Sequence, residues 1–401
     1  MTLHLSRPWN EVNAALRVAA MRAAPHDTGM EFQHFDALVI GAGIGGATAA
    51  AHLAPTRRTA LLEAEESAGY HTTGRSAAIW ILNYGTPDAQ VLTAASGDFF
   101  RNPPPGFAEV PLMAPRPVVH LAPPEQVPAL EALMARGEGV EPITPEAVRT
   151  MAPGLRPGYA VAAAIERNAF DMDVAALHAG FLRVVRAQGG VLALRQRAGR
   201  IWYAAGAWHA ETSGGTVFAA PVLVNAAGAW GDEVARIAGV RPLGLQPKRR
   251  TALIVDPSPH DVSGWPLLGD VAHSWYARPE ARTKLMVSPA DETDSDPCDA
   301  QPDELDVAIA ADRFQQALDI PVRRVEHRWA GLRTFTPDRG LAIGPSGTPG
   351  FFWNCGQGGY GIQTAPAAGR LLAMLVNEDD PEGLRDIVPL VDPRRFVKEF
   401  A

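Results

Sequence analysis

Short apolar runs and stretches of helical periodicity alternate along the chain, with glycine-rich turns where one gives way to the other. Residues 37–40 (ALVI) are apolar throughout, the composition of a strand buried on both faces. The small residues of GAGIGG lead into an Ala-rich segment that predicts a helix, and a second short apolar run ends at Glu63. The same order of strand, small-residue turn and helix recurs at 222–239, beginning VLVNAAGAW, and at 350–376, GFFWNCGQGGYGIQTAPAAGRLLAMLV. Between these units the pattern predicts helices over 87–100, 123–136 and 303–318, a short one from Pro145, and one from an N-cap at Asp173 to Gly189. Strands are predicted at 115–121 and 160–166, as several short pieces within 191–225, and as antiparallel runs over 244–288 and 324–335. Residues 65–78, EESAGYHTTGRSAA, lack periodicity and read as a loop.

Composition narrows the class without changing this pattern. The chain has 401 residues, 47% of them hydrophobic and 20% charged, which suits a globular protein of two domains. A net charge of −8, with Lys248-Arg249-Arg250 the one basic cluster, argues against a nucleic-acid partner. Two cysteines, Cys298 and Cys355, offer neither a disulfide framework nor a cysteine metal site, and no metal is expected. No apolar run reaches the roughly 18 residues of a spanning helix, so the expected location is cytoplasmic or at most peripheral to a membrane. Residues 1–35 precede the first clear strand. Arg7, Arg17 and Arg22 with Val12, Leu16, Val18 and Met21 fit a short amphipathic helix, whereas Glu11, Asp27 and the missing apolar stretch speak against a secretory signal. A poorly ordered extension, or a start placed ahead of Met30, is the reading favoured.

The first turn carries the clearest chemistry. Gly41, Gly43 and Gly46 stand at G-x-G-x-x-G spacing between strand and helix, and Glu63 follows 22 positions after Gly41. The glycines permit a tight turn, close approach of backbone to a pyrophosphate, and close helix–strand packing. The helix N-terminus offers free N–H groups to phosphates, and the acid can accept hydrogen bonds from a ribose. A dinucleotide is expected, and a nicotinamide cofactor is the competing reading to a flavin. The fold expected is α/β: a discontinuous Rossmann-like dinucleotide-binding domain from 36–80, 190–235 and 336–380, and an α+β substrate domain with a mixed or antiparallel sheet from 81–189 and 236–335. Residues 1–35 are left as an extension and 381–401 as a C-terminal tail.

GAGIGG with Glu63, NAAGAW around Ala227 and Gly228, and GQGGYGIQT resemble the D-amino acid oxidase superfamily of FAD proteins. GYHTTGRSAA, YGTP, LTAAS, GVRPLGLQPKRR and HRWAGLRTF add a narrower similarity, to the FAD-dependent D-arginine dehydrogenases, over about residues 35–375. The resemblance implies non-covalent FAD, with Gly45, Glu63 and Ala64 at the adenosine and pyrophosphate end and Arg197 beside the adenine. It implies that Thr72, Thr73, Gly74, Arg75, Ser76, Ala77 and Ala78 run along the flavin. Gly358, Gly359, Tyr360, Gly361, Ile362 and Gln363 would form the turn whose helix faces the ring carbonyl. Arg250 and Arg333 would anchor a substrate carboxylate, Tyr84 and Tyr276 would line the pocket, and the Gly359 carbonyl would receive the amine. His327 reads as a structural histidine rather than a base, and Cys355 as a buried thiol rather than a flavin link.

Three positions depart from the D-arginine dehydrogenase pattern. An acid that meets the guanidinium is Val118 here, and a histidine and a threonine of the same pocket are Ile79 and Ile81. A cationic side chain would be desolvated there without a counter-charge, at a cost of several kcal/mol, roughly, per ion. The expected activity is therefore oxidation of D-amino acids with apolar side chains to imino acids, which hydrolyse to 2-oxo acids and ammonia, by hydride transfer to flavin N5. The expected partners are a small amino acid and an electron acceptor, quinone-like or other; the resemblance alone implies a dehydrogenase rather than an oxidase. Alternatives are an N-substituted or cyclic amino acid, a 2-hydroxy acid, and, from another class, a non-catalytic flavin sensor.

Overall fold

A computed structural model of the protein describes residues 31–400, with side chains described through 396; the amphipathic reading of 7–22 lies outside the described residues. A six-stranded sheet runs in the order Val191–Ala193, Thr59–Leu62, Ala37–Ile40, Val222–Asn225, Phe351–Cys355, Ala342–Pro345, parallel except at the last pair. Its strands come from the first, middle and last parts of the chain, as the three recurring units predict. Ala37–Ile40 is buried at all four positions because both faces are covered. Alternation decides what each residue meets: Ala37 and Val39 pack toward the helix side, while Leu38 and Ile40 pack with Trp208 and Phe218 of a second sheet. The helix side holds Ile44–Leu53, Pro87–Arg101, Val174–Ala187 and Gly361–Asn377.

That second sheet has four strands, Glu31–His34, Thr216–Ala220, Ala207–Thr212 and Ala198–Ala204. Its first strand corrects the boundary expected at 36, since Glu31–His34 pairs in parallel with Thr216–Ala220. The tail is corrected too: Leu384, Ile387 and Val391 are buried in the main core. A sequence window of mixed polarity concealed both segments, which are ordered by partners far away in the chain.

A large mixed sheet builds the other half. Gln246–Val255 lies near one edge, hydrogen-bonded along its length to Val325–Phe335, and on its other side the order continues through Lys284–Ser288, Tyr276–Glu280, Leu267–Asp270, Val118–Ala122 and Ala162–Glu166 to Val140–Ile143. Val118–Ala122 runs parallel to Leu267–Asp270, while most other pairs are antiparallel. Glu304–Ala317, capped by Asp303, closes one face through Val307, Ala310 and Phe314. Val119 and Leu121 belong to that packed face, so Val118 and His120, one residue out of phase, point the other way. A three-stranded sheet of Ile79–Trp80, Phe170–Met172 and Met113–Pro115, absent from the sequence reading, holds Ile79 opposite Asp171.

Candidate functional site

The turn after Ala37–Ile40 is fixed by contacts that reach across the whole chain. Gly41 adopts φ +98°, and a Cβ there would lie 2.7 Å from the Ala226 carbonyl of the NAAGAW turn. Asn225 pins that turn, donating to the Gly231 carbonyl at 2.8 Å and accepting from the Ala227 N–H at 3.2 Å. Asn354, on the late strand, donates to the Gly45 carbonyl at 2.8 Å, and a Cβ on Gly45 would meet Gln357 Nε2 at 2.9 Å. The three strand–turn–helix units therefore converge on one place. The Ile44 N–H is met by Thr73 Oγ1 at 2.9 Å, and the next two N–H groups of this first turn have no acceptor within the helix.

A cavity of about 460 Å³ opens at this point. Gly41, Gly43, Gly45, Glu63, Ala64, Thr72, Thr73, Arg75, Ser76, Ala77, Arg197, Ala227 and Gly228 line it together with Gly358, Gly359, Gly361 and Ile362. Glu63 is 8% exposed, and its two oxygens accept from the Ala42 and Glu65 N–H groups at 2.9 and 3.0 Å, which leaves lone pairs for ribose hydroxyls. Glycine cradle, helix start and buried acid on one wall fit a dinucleotide such as FAD. The helix Gly361–Asn377 begins beside the first turn, with Gly361 near Gln357 and Ile44, and Gly361 and Ile362 both lie in the cavity wall.

Five of the expected cofactor residues do not line this cavity. Gly46 is in the helix–strand contact, where a Cβ would fall 1.7 Å from the Gly41 carbonyl, and Gly74 packs on the Gly69 carbonyl. Ala78, Tyr360 and Gln363 face a second cavity. The Gln363 amide is spent inside the protein, accepting from the Ile81 N–H at 3.3 Å and donating to Thr93 Oγ1 at 2.8 Å, and the Tyr360 hydroxyl donates to the Arg339 carbonyl. The Arg75 guanidinium is also committed, to the Ala300 and Ala330 carbonyls at 2.9 and 3.0 Å and to Asp299. Cys355 is fully buried behind the cavity wall; burial pushes its thiol up to about 12, and it donates to the Asn225 carbonyl. Iodoacetamide at pH 8 should alkylate exposed Cys298 and spare Cys355 until the chain is unfolded, as peptide mass mapping would show.

The second cavity, of about 630 Å³, meets the first at Ser76, Ala77, Arg250, Tyr276, Arg333, Gly359 and Ile362. Strand register brings the two arginines together. Arg250 pairs with Gly331, and Arg333 lies two residues on along the same face, a diagonal neighbour roughly 7–8 Å away by Cα. The adjoining basic residues are occupied elsewhere: Lys248 with Asp294, and Arg249 with Asp306 at 2.9 Å. Arg333 donates to the Tyr84 hydroxyl at 3.1 Å and has no carboxylate within ion-pair distance among the described residues. Arg250 donates to the Asp291 carbonyl at 2.8 Å and reaches Glu292 only at 3.4 Å, while Glu292 lies 2.9 Å from Arg339.

The ionisation of the group reflects this crowding. Burial, and then the neighbouring Arg333, lower the pKa of Arg250. Burial also works against charge on Arg333, but the Tyr84 and Tyr276 phenols outweigh it and hold its pKa above the ordinary value. Burial would raise the Tyr276 phenol; Arg333 and Arg250 outweigh it and pull its pKa down. Three guanidiniums (Arg250, Arg333, Arg339) line this cavity against two carboxylates, Asp270 and Glu292. Asp270 is turned to its own loop, accepting from Ser274 N–H and Oγ at 2.6 Å and from Gln126 at 2.9 Å. The wall thus carries an excess of positive charge beside Tyr84 and the Gly359 backbone.

Ile79, Ile81 and Val118 do come together, in one apolar cluster with Leu267 and Ala169. His327 is exposed on its strand, stacked on Trp329, and lines neither cavity. The sequence reading missed His120, His273, Glu292 and Arg339 in the second cavity. Alternation with Val118 could have found His120; the other three sit on turns or strand ends whose direction no local pattern encodes.

Comparison with known proteins agrees with this architecture. The family model described as DAO, FAD dependent oxidoreductase, matches residues 36–375. The FAD-dependent oxidoreductase domain-containing protein 1 of Bos taurus is 29% identical over a 180-residue alignment, with 39% of this chain and 36% of that protein covered. The chain thus covers little more than a third of that relative's length. Two crystal structures share the fold: glycine oxidase from Geobacillus kaustophilus (TM-score 0.76, 19% identity, 86% of this chain and 95% of that one) and L-proline dehydrogenase from P. horikoshii (0.77, 19%, 91% and 98%).

Proposed function

Because the chain belongs to the DAO family of FAD-dependent oxidoreductases, we propose that it oxidises amino acids, D-amino acids with apolar side chains foremost, at the junction of the two cavities. The observation that carries this reading is the pair Arg250 and Arg333, two guanidiniums on one face with too few acids to neutralise them. A carboxylate between them supplies the missing charge and gains charge-assisted hydrogen bonds. Held there, the substrate's Cα lies against the shared wall, with the amine toward the Gly359 carbonyl and Tyr84 and Tyr276 confining the rest. FAD, when bound, supplies the two-electron acceptor for the hydride that leaves Cα. The amine lone pair forms the C=N bond, so no residue needs to remove a proton from carbon, and release into water hydrolyses the imino acid.

The cluster of Ile79, Ile81, Val118 and Leu267 supports apolar side chains over D-arginine. Steady-state kinetics should give D-methionine or D-leucine a kcat/KM at least about tenfold above that of D-arginine, because a cation there lacks a partner; the highest value on D-arginine would refute the preference. A second reading, an N-substituted or cyclic amino acid, draws on the roughly 630 Å³ cavity and on the likeness to an L-proline dehydrogenase. Ammonia release separates the two, since only a primary amine yields it directly.

A further inference from the structure

Across the large sheet, the floor of the second cavity follows a single row. Tyr276 is paired with Gly269, and Gly269 with His120. Gly269 leaves this floor bare, because a Cβ there would lie 2.9 Å from the Trp275 carbonyl. Two strand spacings, roughly 10 Å, therefore separate the backbone of Tyr276, whose phenol lies beside Arg333 and Arg250, from that of His120. The apolar cluster of Ile81, Val118 and Leu267 flanks this path.

At its far end His120 is only 5% exposed. Its Nε2 lies 3.7 Å from Glu166 Oε2, too far for a good hydrogen bond, and both atoms are buried without a partner. Glu166 is itself 1% exposed and is held by the Leu82 and Asn83 N–H groups through its other oxygen. With Glu166 Oε2 the nearest acceptor to Nε2, the Nε2–H tautomer is the one this end of the cavity favours. Nδ1 is then the acceptor His120 offers to the cavity it lines. His273 stands edge-on to both His120 and Tyr84, with ring centroids 6.4 and 5.9 Å away, and completes the polar end. Burial lowers its pKa, which disfavours positive charge there.

We propose that His120 is a specificity-determining residue for substrates whose apolar side chain ends in a hydrogen-bond donor, a phenol or an indole, which reaches Nδ1 across the bare floor at Gly269. The proposal rests on the amino acid oxidase reading above and extends it to a substrate class: aromatic amino acids with a distal donor. Neither an aliphatic side chain nor the guanidinium of arginine meets both requirements, an apolar middle and a neutral donor at the end.

The test compares D-phenylalanine, D-tyrosine and O-methyl-D-tyrosine on the FAD holoenzyme, by kcat/KM for flavin reduction. D-tyrosine should exceed D-phenylalanine by about fivefold to tenfold, the worth of one hydrogen bond. O-methylation should remove that advantage, because the ether retains an acceptor and loses the donor. In His120→Phe the D-tyrosine to D-phenylalanine ratio should fall to about one or below. Equal kcat/KM for the two in the wild type, or an unchanged ratio in His120→Phe, would overturn the proposal while leaving amino acid oxidation intact. If both are inert while an N-substituted or cyclic amino acid reduces the flavin, the primary-amine reading fails, and this inference with it. The wild-type comparison needs no variant, so a misfolded His120→Phe protein would not shield the proposal.

Discussion

Replacing Arg333 with methionine should lower kcat/KM for amino acid oxidation by roughly a thousandfold, or about 4 kcal/mol, the scale for removing one side of a buried charge contact. The arginine has the Tyr84 hydroxyl but no carboxylate within ion-pair distance among the described residues, so a substrate carboxylate would be its first acidic partner. Methionine keeps most of the volume and removes the guanidinium. Burial opposes the charge while the phenols favour it, so stability should move little, with the melting temperature of Arg333→Met near that of the wild type. Arg333→Lys should recover only part of the activity, because an ammonium cannot hold a carboxylate bidentately. A structural arginine would behave differently: its loss would lower the melting temperature and leave KM alone. Thermal denaturation beside Michaelis–Menten analysis distinguishes the two.

Gly46→Ala should weaken FAD binding by roughly a hundredfold or more, the scale of about 3 kcal/mol from overpacking. The added methyl would stand 1.7 Å from the Gly41 carbonyl, so helix Ile44–Leu53 must move away from strand Ala37–Ile40. That displacement carries the Gly45 and Gly46 N–H groups with it and breaks the Asn354 bond to the Gly45 carbonyl. The flavin absorbance of the purified protein, titrated with added FAD, reads the loss directly. Gly43→Ala is the milder companion, since its Cβ would meet only Thr73 Oγ1 at 3.2 Å. Equal FAD affinity in wild type and Gly46→Ala would contradict this account of the turn.

The parallel strands and their glycine turns were legible because each is local: an apolar run, a spacing, a helix of the right period. Ala37–Ile40 and Val222–Asn225 fall where the pattern places them. Glu31–His34 was not legible, because its burial pattern is largely exposed and its place depends on Thr216–Ala220, nearly two hundred residues away. At the site, Arg250 and Arg333 were found through WAGLRTF and PKRR, yet what joins them is a register that neither segment encodes alone. Tyr360 and Gln363 illustrate the reverse. Their motif marks the turn correctly, but those two side chains face the second cavity and bond within the protein rather than turning toward the first. His120 went unnoticed because a histidine in an apolar strand ordinarily reads as core, and only the sheet partners show that its face is the cavity floor.

The central claim is that Arg250 and Arg333 hold a substrate by its carboxylate while its amine-bearing carbon is oxidised. Anaerobic mixing of the FAD-loaded protein with D-methionine, L-methionine and 3-(methylthio)propylamine, followed at the oxidised-flavin absorbance maximum, tests it in one experiment. The account predicts rapid bleaching by D-methionine, little by L-methionine, and none by the amine, which has the same side chain without the carboxylate. Bleaching by the amine as fast as by the amino acid, or by no amino acid of either hand, would contradict it.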